Sequence, residues 1–504
     1  MSARIKPGIE RYTAHILTRP QDAECMARRE GNAMLVVAIP YKPGGQNKMD
    51  RDSELQQALE AIRRKRAYIF SRYLPDPTNG CHPQDVKNIL VVISASRSGS
   101  SLLYHLLSDH PATLAPQGEE ITFYKLAGLG LIDTVDASDA IANANSACLA
   151  QRTALAVDIL RDSGCPFTPN SNGNQDFPVE RYIVDSIQRL ILQWPEIDFD
   201  CDDLHQSARN TLEGHLRMAG SFDAGQYWLD LLSTLIAQGH PINPYYYDLP
   251  RDIIQRRHPS MPRIEGPPCS TLCLEEPPFI VPKPKVFPKA GSDADPCLVL
   301  KSSSNCYRLE FMQSLYPNAE FSFIHLTRNP AAVINGLMDG WLSHGFYSQS
   351  LAGLSTLNIA GYTASHVPWS RHWWNFDSPP GWINYIDLPL ERVCAFQWWS
   401  ANKHVVDGIE SGVISRYMVI KYEDLLPRES MQQELAKAFD FAHLPRDIGL
   451  QGFKVPAPVM AVNPPGARKW MQRAQVILPA IGEINIAALA RRLGYDINAA
   501  DGFV

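Results

Sequence analysis

Three cations and a pair of carboxylates, scattered along the chain, have the types and settings that suit chemistry. Ser94-Ala-Ser-Arg-Ser-Gly-Ser-Ser101 places small residues and one arginine between an apolar run and a helix-like recurrence of Leu102, Leu103, Leu106 and Leu107. Such a loop aims backbone N–H groups and a helix N-terminus at one point, which makes an anion site. Arg97 can fork its guanidinium onto two oxygens of that anion. Ser98 and Gly99 complete the turn, and Ser100 and Ser101 add hydroxyl donors. The loop is not a nucleoside-triphosphate loop of the G-x4-G-K-[ST] type, because Gly99 is followed by Ser100. Lys301 and Arg328 each stand just past another apolar run, and Glu119 and Glu120 follow the loop. The three cations suit an anionic ligand held beyond the strand ends.

The elements that must position these groups are short strands alternating with helices. Asn88-Ile-Leu-Val-Val-Ile93 is continuous, apolar and rich in β-branched residues, as in a strand buried on both faces. Residues 296–301, 321–326 and 418–422 read the same way. The pattern predicts an α/β fold with a P-loop-like core, its mainly parallel sheet covered by helices on both faces. Ligands of such sheets bind beyond the carboxyl ends of the strands. Arg97, Lys301 and Arg328 are therefore expected to meet in one crevice.

The chain divides into an N-terminal extension (1–85), a first part of the core (86–130), a helical and Pro-rich insertion (131–295) and a second part of the core (296–504). Residues 53–73 read as a helix with Leu55, Leu59, Ile62 and Ile69 on one side. Its run Arg63-Arg-Lys-Arg66 reads as a solvated face. Residues 241–297 hold 13 of the 39 prolines, which argues against regular helix there. Seven of the ten tryptophans fall between 341 and 399, where they form either a core cluster or an aromatic wall for a ligand. The spacing of Trp369 and Trp373 would put them on one face of a helix.

The 504 residues are 45% hydrophobic and 20% charged, the balance of a globular chain. With 47 Lys and Arg against 53 Asp and Glu the net charge is −6. No global basic field exists to hold nucleic acid or an anionic membrane, so an anionic ligand needs a local basic pocket. No apolar run approaches the roughly 20 residues that span a bilayer. Residues 1–8 carry Arg4 and Lys6 without a following apolar core, so a cytoplasmic location is expected. The ten scattered cysteines, including the lone pair Cys269 and Cys273, read as reduced thiols, and no metal site is expected.

Ser96-Arg-Ser-Gly-Ser-Ser-Leu102 resembles the 5′-phosphosulfate loop of sulfotransferases that use 3′-phosphoadenosine 5′-phosphosulfate (PAPS). Phe323-Ile-His-Leu-Thr-Arg-Asn-Pro330 resembles that family's second element, whose arginine, here Arg328, holds the 3′-phosphate. Leu298-Val-Leu-Lys-Ser-Ser-Ser304 resembles the segment of the catalytic lysine, which implies Lys301. Lys421-Tyr-Glu-Asp-Leu425 and Gly466-Ala-Arg-Lys-Trp470 resemble two further recurrent segments, the second a basic loop over the cofactor that implies Arg468 and Lys469. Asp109-His-Pro111 and Gly118-Glu-Glu120 are locally similar to tyrosylprotein sulfotransferases, in which the second glutamate is the general base, here Glu120.

The chain departs from the family at Gly336, where a serine usually binds the 3′-phosphate; Asn335, the Gly336 N–H, Arg468 and Lys469 are the candidates to replace it. The family's cytosolic histidine base is Ser303 here, which favours a carboxylate, Glu120 or Glu119. The resemblance implies PAPS as cosubstrate and sulfuryl transfer to a hydroxyl of a small or medium metabolite, with no metal required. A peptide tyrosine acceptor, a nucleotide-dependent phosphotransferase and a non-catalytic nucleotide-binding protein are the other readings. His325 reads as a core histidine, His344 as able to face the acceptor, and Glu423 and Asp424 as loop-fixing groups.

Overall fold

Ile89 to Ile93 are all at most 1% exposed, because the strand they form, β1 (Asn88–Ile93), runs through the middle of the sheet. The computed structural model describes residues 48–168, 176–218, 221–287, 296–366, 369–450, 460 and 468–496; the expected extension up to residue 47 and Gly466 and Ala467 lie outside them. The other strands are β2 (Thr113–Pro116), β3 (Ser163–Pro166), β4 (Lys285–Val286), β5 (Cys297–Lys301), β6 (Glu320–Thr327), β7 (Tyr347–Ser350), β8 (Trp373–Asn375) and β9 (Tyr417–Lys421). Seven of them form one sheet in the order β4-β3-β2-β5-β1-β6-β9, and β7 and β8 make a separate antiparallel pair. The fold is α/β, with a mainly parallel sheet and helices around it.

Register decides where the functional groups emerge. β1 runs parallel to β5 and to β6, with Val92 opposite Lys301 on one side and Ile324 on the other. β2 extends the parallel set beyond β5, and β9 extends it beyond β6 with Thr327 opposite Lys421. The five strands therefore end at one edge, and the residues that follow them stand side by side in strand order.

Two strands from residues 131–295 join this sheet antiparallel, β3 beside β2 and β4 beside β3. Helix also occurs within the proline-dense stretch: Arg251–Arg257 begins after Pro250 and fills a proline-free run, so the expectation of no regular helix there is corrected. The N-terminal helix is Lys48–Tyr73, packed on Val179–Gln193. Leu55, Leu59, Ile62 and Ile69 are buried as their spacing predicts. Its basic run is a solvated face only in part: Arg63 and Arg64 are exposed and Lys65 is partly so, whereas Arg66 turns inward. Arg66 is 4% exposed and bonds Gln188 and Asp158, Arg63 donates to the Leu126 carbonyl, and Lys65 pairs with Asp198.

Trp341, Trp373, Trp374, Trp382 and Trp398 are core residues, each under 2% exposed. Trp369 and Trp373 share no helical face, since a short 3-10 turn (Ser370–His372) leads directly into β8. Cys269 and Cys273 are buried free thiols. Among the described residues no single helix is long and apolar enough to cross a membrane.

Candidate active site

A cavity of about 400 Å³ opens at the carboxyl edge of the sheet, within the usual size range of ligand sites. Strand order lays out its floor. Glu119 follows β2, Lys301 ends β5, Arg97 follows β1, Arg328 follows β6 and Tyr422 follows β9, and all five line it. The convergence expected of Arg97, Lys301 and Arg328 is therefore what the fold produces.

The loop after β1 turns sharply. Arg97 has φ +66° and Gly99 φ +94°, and the helix Ser100–Ser108 starts at once. The N–H groups of Ser100 and Ser101, the first two of that helix, have no intrahelical acceptor, and both residues line the cavity. Gly99 is required twice over. Its backbone is left-handed, and a Cβ there would lie 2.2 Å from the Tyr422 ring. Beneath the loop, the Ser96 hydroxyl donates to Asp377 Oδ1 at 2.6 Å, and Tyr307 donates to Oδ2 at 2.8 Å. Burial raises the Asp377 carboxyl to about 7, against the pull of these two donors.

Arg97 donates to the Met460 carbonyl at 2.9 Å and lies 4.9 Å over the Phe346 ring. Arg328 donates to the Arg97 carbonyl at 3.0 Å and stacks 4.2 Å over Tyr422. Burial, and then the neighbouring Arg328, lower Arg97 to about 10, with Asp339 and Tyr422 opposing; burial lowers Arg328 as well. Two desolvated guanidiniums beside a helix N-terminus are a site that an anion would relieve.

Lys301 Nζ donates to Ser101 Oγ at 3.2 Å and is ion-paired with Glu119, whose side chain is 39% exposed. Glu120 turns the other way. It is 1% exposed, does not line the cavity, and accepts from the Lys301 backbone N–H at 3.2 Å and from the Asn305 amide. Burial raises its pKa, with the Asn305 hydrogen bond opposing.

The remaining predicted residues separate clearly. Gly99, Ser100, Ser101, Asn335, Gly336 and Lys469 line the cavity, whereas Ser98 is fully buried outside it and Arg468 is exposed outside it. Asn335 Oδ1 accepts from Arg473, and Asp339 takes both Lys469 (2.9 Å) and Arg473 (2.7 Å). Gly336 lies under Arg97, and a Cβ there would stand 3.4 Å from Arg97 Cβ, so a larger residue would crowd that arginine. His325 bonds Asn402 at 2.9 Å, and burial drives it down to about 4, as in a core histidine. His344 does not line the cavity. Glu423 accepts from the Asn329 N–H and the Tyr495 hydroxyl, fixing the loop after β9.

Several lining residues have no motif to announce them. Phe346 and Phe376 stack at 4.8 Å, and both have positive φ. Arg97, Phe346, Phe376 and Met460 are four of the six described non-glycine residues with positive φ, and all four line the cavity. Strained backbone held in this way gathers at functional sites. The opposite wall is residues 275–280, just before β4. Glu275 anchors it: Arg189, 1% exposed, donates to Glu275 at 2.7 Å and to Asp162 at 2.6 Å. Gln193 bonds both Glu275 (2.9 Å) and the Ile280 carbonyl (3.0 Å). The only sequence signal for this wall is the pair Glu275-Glu276 inside the Pro-rich stretch.

No family model and no curated protein matches the chain. Among solved structures it is similar to a sulfotransferase domain from the curacin biosynthetic pathway, at 14% identity, 82% of this chain, 99% of that one and a TM-score of 0.34. It is also similar to a sulfotransferase domain from the olefin synthase of Synechococcus PCC 7002 (15%, 82% and 97%, TM-score 0.31). A third is a sulfotransferase from Mycobacterium tuberculosis H37Rv (13%, 80% and 79%, TM-score 0.31).

Proposed function

We propose that the chain is a sulfotransferase that moves a sulfuryl group from PAPS to a hydroxyl of a small or medium acceptor. One observation carries the reading. Lys301, Arg97 and Arg328 end or follow three adjacent parallel strands and line one cavity with the loop and Glu119. The fit to a doubly phosphorylated nucleotide rests on the donor set: two desolvated guanidiniums, an ammonium and a helix N-terminus.

When bound, PAPS supplies the sulfuryl group, whose bond to the phosphate oxygen breaks as a bond to the acceptor oxygen forms. Arg97 and the first N–H groups of Ser100–Ser108 hold the 5′ side, and Arg328 with Asn335 holds the 3′ side. The expected Gly336 N–H is corrected, since it lies mid-helix in Pro330–Trp341 and is committed to the helix's own ladder. Lys301, steadied by Ser101, opposes the negative charge that builds on the departing phosphate oxygen. Glu119 takes the acceptor proton, because it is the carboxylate of the predicted pair that faces the cavity beside Lys301. Glu120 is the positioning group: it fixes the end of β5 through the Lys301 N–H and the next turn through Asn305.

Calorimetry with adenosine 3′,5′-bisphosphate tests the cofactor half, and transfer of labelled sulfate from PAPS across a panel of alcohols and phenols tests the reaction. Binding that is lost in both Arg97→Ala and Arg328→Ala, with the variants folded, is the expected result. No binding by the unaltered protein overturns the reading.

A further inference from the structure

The same strand order that gathers the cations also grades the charge across the cavity. Arg97, Arg328 and Lys469 lie on the β1, β6 and β9 side, with Lys301 in the middle. On the β2 side the lining groups are Glu119, Glu275 and Glu276, and no lining cation stands beyond Lys301 among the described residues. Glu275 is matched by Arg189 and Gln193. Glu276 is not matched so closely. Its partners are the Ser348 side chain, by a hydrogen bond, and Lys125, whose ammonium is 3.5 Å away and already donates to the Ser348 carbonyl (3.0 Å), the Cys273 carbonyl (3.2 Å) and Ser348 Oγ (3.4 Å). An ammonium has three protons to give. The Glu276 side chain is 25% exposed and reaches the cavity.

Resting on the reading above, we propose that the acceptor is a cationic alcohol or phenol, an amine-bearing hydroxyl compound with an apolar body, and that Glu276 selects it. Pro277, Pro278, Ile280, Phe346 and Phe376 supply apolar walls for the body. Glu119 meets the hydroxyl and Glu276 meets the ammonium. Burial raises the Glu276 carboxyl, with Lys125 and Ser348 opposing and Glu119 and Asp139 adding to the rise, so an incoming cation relieves a desolvated acid. An anionic acceptor, an acidic peptide included, would meet the Glu276 carboxylate where the cationic acceptor places its ammonium, with Glu119 and Glu275 already held by Lys301 and Arg189.

Three matched phenols test this: tyramine (cationic), para-ethylphenol (neutral) and para-hydroxyphenylacetate (anionic). Each is titrated by calorimetry into protein saturated with adenosine 3′,5′-bisphosphate, and each is also assayed with PAPS. The expected order is cationic, neutral, anionic, with tyramine ahead of para-ethylphenol by about 10- to 100-fold, the worth of one charge-assisted hydrogen bond. Glu276→Gln is expected to bring that ratio below about threefold at unchanged bisphosphate affinity, and Glu276→Asp to keep the order. Binding of none of the three, equal or reversed binding, or an unchanged ratio in Glu276→Gln overturns the proposal. If the bisphosphate itself fails to bind, the sulfotransferase reading falls first; if it binds and the order is absent, the acceptor assignment alone falls.

Discussion

Glu119 and Glu120 are neighbours with different surroundings, so the paired variants Glu119→Gln and Glu120→Ala separate chemistry from architecture. Glu119 is partly exposed in the cavity and paired with Lys301, so its amide keeps the shape and removes the proton acceptor. Loss of a general base costs about 10²- to 10⁴-fold in kcat. At ~1.36 kcal/mol per decade that is about 2.7 to 5.4 kcal/mol of barrier. Lys301 remains held by Ser101, so affinity for adenosine 3′,5′-bisphosphate should be unchanged or tighter once a nearby negative charge is gone. Glu120→Ala instead strands the Lys301 N–H and the Asn305 amide in a fully buried spot, a loss of about 1 to 3 kcal/mol per donor. It should appear as a lower urea midpoint at unchanged slope. Steady-state kinetics, calorimetry and urea unfolding on both variants give the comparison. If Glu120→Ala abolishes turnover at full stability while Glu119→Gln stays within about threefold of the parent, against a general-base effect of 10² or more, the proton passes to the other carboxylate.

Gly99→Ala adds a left-handed backbone penalty of about 1 to 2 kcal/mol and drives a methyl into the Tyr422 ring, whose displacement disturbs the Arg328 stack. Bisphosphate affinity should fall at least roughly tenfold, the equivalent of ~1.4 kcal/mol, and parental affinity would contradict the account of the loop. Asp377 sets a pH dependence: its carboxyl rises from 3.8 to about 7 on folding, so the native state binds more protons than the unfolded chain between those values. Stability from this group is therefore present at low pH and lost as pH rises through about 7. Urea midpoints of Asp377→Asn should lack that decline, so the two midpoint curves converge toward acid pH; parallel curves would refute the assignment.

What the sequence shows of the fold is what its composition marks strongly. The apolar runs of β1, β5 and β6 declare themselves, because strands buried in a parallel sheet must be apolar. β9 is legible from its β-branched run although, as the edge strand, it leaves Tyr417 and Val419 exposed. β2 and β4 do not, since Thr113–Pro116 and Lys285–Val286 are too short and too rich in proline or polar residues to show a period. Arg97, Lys301 and Arg328 were legible because each follows a readable strand. Phe346, Phe376 and the wall at 275–280 were not, because they reach the cavity through long-range packing and positive-φ turns that leave no local pattern. The direction of each glutamate was equally hidden: the doublet is visible, but which carboxylate meets solvent depends on Asn305 and β5.

Because Glu275 is keyed to Arg189, and Gln193 to Ile280, the wall beside the proposed acceptor hangs from the helix Val179–Gln193 like a panel from a girder. A chimera that exchanged residues 275–280 alone would import a loop without its fastening and leave Arg189 buried beside Asp162 with half its countercharge gone. Changing what this protein accepts by cassette exchange therefore requires carrying helix and wall together as one unit.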